Sequence, residues 1–150
     1  MKSVLRLVSL LALLVAPVFG ADLVNAEKQS NLALQGYDPV AFFTNAEPMK
    51  GDSSIMVTYH GYAYRFASEE HRMEFQNNPE KYLPAFGGFC AFGVSKGKLA
   101  PVEIDTWEIV DGRLILQNSQ AVKKMFSEDK GGNLRKADAN WRQLADGEGK

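Results

Sequence analysis

Tyr62, Tyr64 and Phe66 fall on one side of a period-two alternation, with Ala63 and Arg65 on the other. That is the pattern of a half-buried strand. Ile55 to Tyr59 reads as its partner, and His60-Gly61 as the two-residue turn between them, where Gly61 supplies positive φ at little cost. A second alternation runs through Trp107 and Ile109, then Leu114 and Leu116, around Asp111-Gly112. It predicts a second hairpin over Trp107 to Asn118.

Helical patterns follow each hairpin. Ser68 suits an N-cap, and Glu69 and Glu70 stand in the first turn, where the helix dipole favours acids. His71 and Phe75 are four apart and share a face. Asn78-Pro79-Glu80 breaks the chain and restarts it, with Pro79 at a first helical position. Ser119 caps a helix carrying Val122, Met125 and Phe126, and Asp138 to Leu144 is a last helix bearing Trp141. Elsewhere, Ala21 to Leu34 is polar with scattered aliphatics, a candidate short helix. Gly36 to Pro39 is a turn, Val40 to Phe43 a short strand, and Asn45 to Ser54 a loop. Phe86 to Lys98 is either an irregular segment or a short helix entered through Gly87-Gly88. No internal repeat stands out. The expected fold is α+β: a small antiparallel sheet built from two β-hairpins, with helices packed on one face.

The ends change the picture of where the protein works. Lys2 and Arg6 precede the apolar run Leu7 to Val15, which is too short for a bilayer anchor, and Val18-Phe19-Gly20 suits a cut before Ala21. Residues 1–20 are therefore expected to be a signal peptide, 21–145 a single domain and 146–150 a polar tail. The product is expected to be periplasmic or secreted, with no membrane anchor after signal removal. Loss of Lys2 and Arg6 takes the formal charge from −1 to −3. A mildly acidic chain argues against nucleic acid as a partner.

Candidate chemistry is limited by two histidines and one cysteine. A zinc site of these types would use His60, His71 and Cys90 and still lack a fourth ligand. Neither CxxC nor HExxH is present. Cys90 is a lone thiol in an oxidising compartment: buried, metal-bound, or paired with another molecule. His60 is expected to face solvent on its turn. Asp38 suits either a turn cap or the orientation of a ligand. The aromatic set Tyr37, Phe42, Phe43, Tyr62, Tyr64, Phe66, Phe86, Phe89 and Phe92 is mostly core, though some of it could line a small-ligand pocket near Cys90.

The chain resembles the YHS domain, a small module linked with heavy-metal handling. The likeness rests on Asp38-Pro39-Val40, Tyr59-His60-Gly61, Phe66-Ala67-Ser68, Phe75 and Pro79-Glu80-Lys81-Tyr82-Leu83. The family places cysteines after Asp-Pro-Val and within Phe-Cys-Ser-x-x-Cys. Here those positions hold Ala41, Ala67 and His71. Gly36 to Ala41 and Gly87 to Ala91 resemble an exported branch of the family, and that likeness runs on to Trp141. The first expectation is a non-catalytic protein binding a soft, copper-like metal ion or a small ligand near His71 and Cys90. Imidazole, thiolate and a thioether from Met56 or Met73 would suit copper(I) better than zinc. The alternatives are a thiol-dependent redox protein or enzyme using Cys90, and a structural or interaction module without metal.

Overall fold

The computed structural model describes residues 23–147. The expected signal peptide, residues 1–20, lies outside the described residues, as do the last three residues of the tail. The elements in chain order are a 3-10 turn (Leu34–Gly36), α1 (Ala41–Thr44), β1 (Asp52–Tyr59), β2 (Tyr62–Phe66), α2 (Glu69–Asn77) and α3 (Pro79–Tyr82). A second 3-10 turn (Ala85–Gly88), α4 (Ala91–Ser95), β3 (Glu103–Val110), β4 (Arg113–Gln117), α5 (Gln120–Glu128) and α6 (Lys130–Ala145) complete them. The fold is α+β, as its alternations predict. Each hairpin pairs within itself, giving two two-stranded antiparallel sheets. Both turns place two residues at positive φ, His60 and Gly61 in one and Asp111 and Gly112 in the other. That matches the right-handed twist of the strands they join.

The Ser caps form as expected: Ser68 Oγ accepts from His71 N at 3.2 Å and Ser119 Oγ from Val122 N at 3.3 Å. Three segments differ from expectation. Val40 to Phe43 is helical, because the Asp38 carboxylate accepts the N–H groups of Val40 (2.8 Å) and Ala41 (3.4 Å). That cap, with Pro39 behind it, starts a helix where the apolar run alone suggests a strand. The segment from Leu23 to Ala33 makes bridges, Ala26 with Ala33 and Leu32 with Ala63, in place of a helix. The last helix begins at Lys130, eight residues before the expected start. Gly131 and Gly132 read as breakers, yet the capping carboxylate of Asp129 lies 2.0 Å from where a Cβ on Gly132 would sit.

The structure contains a repeat that the residue types conceal. β1, β2 and α2 have the lengths of β3, β4 and α5, and each begins 51 residues earlier. The registers coincide as well. Asp52 pairs with Phe66 and Glu103 with Gln117, each pair followed by a register shift. Gln35 and Phe86 occupy the left-handed region at equivalent places in the two 3-10 turns. The backbone at the end of α2 (Asn78, φ −152°, ψ 72°) is reproduced at the end of α5 (Asp129, φ −141°, ψ 65°). Two copies of a turn–helix–hairpin–helix unit therefore make the domain.

The copies differ in burial. β2 covers one apolar cluster with Tyr64 and Phe66 against Phe75 and Tyr82. β4 is buried on both sides: Leu114 and Leu116 join Phe42 and Cys90, while Ile115 joins Phe86, Phe126 and Ala137. The second hairpin is thus the centre of the domain, with the long α6 on its far side. Among the described residues, no helix is long and apolar enough to cross a membrane.

Candidate functional site

Asp38 is the most heavily used polar side chain. It is fully buried. Beyond the two N–H groups of α1, its Oδ2 accepts from Ala67 N at 2.8 Å and lies 2.6 Å from His71 Nδ1. A carboxylate is acceptor-only, so Nδ1 carries the proton, and in the neutral ring the lone pair is left on Nε2. Nε2 lies 3.4 Å from Thr44 Oγ1. The side chain of His71 is 14 % exposed. Ala41, Ala67 and His71, the three positions that the resemblance marks for cysteines, all meet at this one carboxylate. The residue that draws them together comes 33 positions before His71, and no local pattern announces the pairing.

Cys90 does not start a helix through Gly87-Gly88. It is itself the N-cap of α4 and is 2 % exposed. Its sulfur accepts from Asn118 N (3.3 Å) and Gly93 N (3.5 Å), and its S–H donates to Gln117 Oε1 at 3.4 Å. Gln117 is also buried, and its Oε1 accepts from Phe92 N at 3.0 Å. Cys90 belongs to the cluster around Leu114 and Leu116, and the helix of His71 to the cluster around Phe75. The two share no hydrogen-bond partner.

Among the described residues, no three side chains of His, Cys, Asp or Glu stand close enough together to hold a metal ion. Met56 and Met73 are largely exposed, at 46 % and 52 %. His60 is exposed on its turn, with its ring stacked on Tyr59 at 4.0 Å. Of the acids beside His71, Glu69 pairs with Arg72, and Glu74 accepts from the buried Tyr82 hydroxyl at 2.5 Å.

A cleft lies elsewhere. It holds about 420 Å³ and opens between the tips of the two hairpins, with Tyr59 and Tyr62 from one and Arg113 from the other. Phe86 and Gly87 of the second 3-10 turn and Trp141 of α6 form further walls. Neither Cys90 nor His71 lines it. Phe86 stands at φ 55°, ψ 39°, a left-handed conformation that costs a non-glycine residue about 1 kcal/mol. The strain turns its ring under the guanidinium of Arg113 (4.9 Å) and toward the edge of Trp141 (6.1 Å). At Gly87 a Cβ would meet the carbonyl oxygen of Leu23 at 2.0 Å and the Trp141 ring at 3.1 Å. The segment around Asn25 is tied down here, because Asn25 donates to the carbonyls of Gly87 and Gly88. Tyr62 and Phe86 are legible in the sequence as aromatic residues. Their placement with Trp141 around one cleft depends on the packing of the two units and has no sequence signal.

Comparison with protein-family models, with curated proteins and with solved structures found no match to this chain.

Proposed function

We propose that this chain is an exported, non-catalytic binding protein of the YHS type, and that it takes a small ligand in the cleft between the two hairpin tips. The observation that carries the reading is the cleft itself. Its volume lies within the range of about 300–1,000 Å³ usual for small-molecule sites. Tyr59, Tyr62, Tyr64, Phe86 and Trp141 supply rings to its walls, beside aliphatic residues and the charged Glu80, Lys81 and Arg113. The test is ligand-observed NMR with a mixed fragment library on the chain from Ala21 onward. Ala145 lines the cleft near the end of α6, and Ala145→Trp would fill it from a partly exposed position. Fragments should bind the parent and lose binding in Ala145→Trp. Equal binding to both proteins, or none to either, would remove the reading.

A second reading, a soft metal ion held through His71, is favoured by the 2.6 Å contact between Asp38 and His71 Nδ1. Metal-binding histidines commonly give their other ring N–H to a carboxylate, which fixes the tautomer and the ring plane. Here His71 would supply Nε2, and Cys90 would need to be released from Gln117 to join it. Copper(I) affinity, measured by competition with a chromophoric chelator, should fall in His71→Ala and Cys90→Ala. Unchanged affinity in both variants would sink this metal site.

A further inference from the structure

The polar groups of the cleft define the kind of ligand it suits, on the assumption that the cleft is the binding site. Of its charged groups, Arg113 meets an opposite charge, while Glu80 and Lys81 meet neutral hydroxyls. Arg113 makes two hydrogen bonds to the carboxylate of Asp138, at 2.8 and 3.1 Å. Glu80 accepts from the Tyr59 hydroxyl at 2.8 Å, and Lys81 donates to the Tyr82 hydroxyl at 2.8 Å. Among the described residues, two polar groups of the lining have no such partner: the Tyr62 hydroxyl and the Trp141 indole N–H. Both can donate, and both rings are only half-buried. Beside them stand the rings of Phe86 and Tyr59.

We infer that the cleft selects a planar aromatic molecule that carries a hydrogen-bond acceptor for Tyr62 or Trp141. Ring faces and edges recognise another ring by offset or edge-on contact, worth about 0.5–1.5 kcal/mol per pair beyond the area buried. A saturated ring of the same size receives the area term and not that increment.

The test uses fluorescence of Trp141 in a Trp107→Phe background, since Trp107 packs against Phe42 in the core and does not line the cleft. The probes are 2-naphthol, 2-naphthoate and the decahydro analogue of 2-naphthoate. The naphthalenes should change Trp141 emission saturably and bind about tenfold more tightly than the saturated acid, the ratio that about 1.4 kcal/mol gives. Tyr62→Phe should weaken 2-naphthoate several-fold while leaving Trp141 emission in the free protein unchanged. Equal affinity for the saturated analogue overturns the aromatic class, while cleft binding by other fragments would survive. Failure of both naphthalenes to bind at millimolar concentration also overturns it. If no fragment at all is lost in Ala145→Trp, the cleft itself is not the site.

Discussion

In the first unit a carboxylate, Asp38, takes the backbone N–H of Ala67 just beyond its hairpin, and in the second a thiol, Cys90, takes that of Asn118. Ala67 and Asn118 are equivalent by the repeat. Asp38 also accepts from the residue three positions on, Ala41, as Cys90 does from Gly93. Cys90 stands one residue beyond the repeat interval because the second 3-10 turn is longer, four residues against three. Each side chain therefore caps a short helix and fastens it to the exit of a hairpin. The further partners differ. Asp38 finds His71 on the following helix, where the second unit has Val122. Cys90 finds Gln117 at the end of β4, where the first unit has the core residue Phe66. One backbone junction is thus closed by two chemistries, and a cysteine that looks like a reactive or metal-binding group stands in a structural clasp.

The difference predicts a clear order of stability loss. Asp38→Ala strands the buried N–H groups of Val40 and Ala67 and leaves the His71 ring without its acceptor. Removing one partner of such a network costs about 3–5 kcal/mol. Cys90→Ala removes only a weak donor and acceptor and a small volume, which costs about 1–2 kcal/mol. Chemical denaturation of the two variants measures both. A Cys90→Ala loss as large as that of Asp38→Ala would break the comparison. The thiol is also expected to react with a disulfide reagent only as fast as the second unit opens. Fast, ordinary saturation of Cys90 in the native protein would favour the redox reading over the clasp.

An exchange of chemistries sharpens the same comparison. Cys90→Asp alone buries a carboxylate next to Val122 with no ring to meet it, and should destabilise. Adding Val122→His places a histidine at the position equivalent to His71. The pair should recover stability relative to the sum of the single variants, by about 1–2 kcal/mol of coupling. Strict additivity would show that the two junctions are not interchangeable, whatever their backbone correspondence.

These tests bear on positions whose roles the chain discloses unevenly. The hairpins are legible because Tyr62, Tyr64, Phe66 and their counterparts alternate strictly, and the caps because Ser68 and Ser119 stand one residue before their helices. The repeat is faint because residue type coincides only at scattered equivalents, Gly36 and Gly87, Gly61 and Gly112, Ser68 and Ser119, Phe75 and Phe126, while Phe66 and Gln117 end the two second strands and His71 and Val122 share a helical position. The Asp38–His71 pair is a long-range contact that neither periodicity nor a short motif encodes. The cleft depends on how two units meet, so Trp141 and Tyr62, 79 residues apart in the chain, come to line one cleft only in the folded protein. Helix α6 is misjudged because its first turn uses Gly132, a residue that signals a break unless the Asp129 cap is known.

The smallest expected effect separates the units at their outer ends. At the start of β1, the Asp52 carboxylate is held below the ordinary aspartate range, chiefly by the Ser54 hydroxyl (2.7 Å) and then by the Ser54 N–H (2.8 Å). A carboxyl with a lowered native pKa contributes stability that is complete above its unfolded pKa and is lost as pH falls through the lowered value. The equivalent place in the second unit has Glu103 with Asp105, an acid where Ser54 donates, and so offers no such bond. Denaturation midpoints between roughly pH 5 and pH 2 should therefore fall less steeply in Ser54→Ala than in the parent. The residue is exposed, so the change is a modest flattening of the acid limb and not a shift of the whole curve. An unchanged slope in Ser54→Ala would assign the acid sensitivity to groups the two units hold in common.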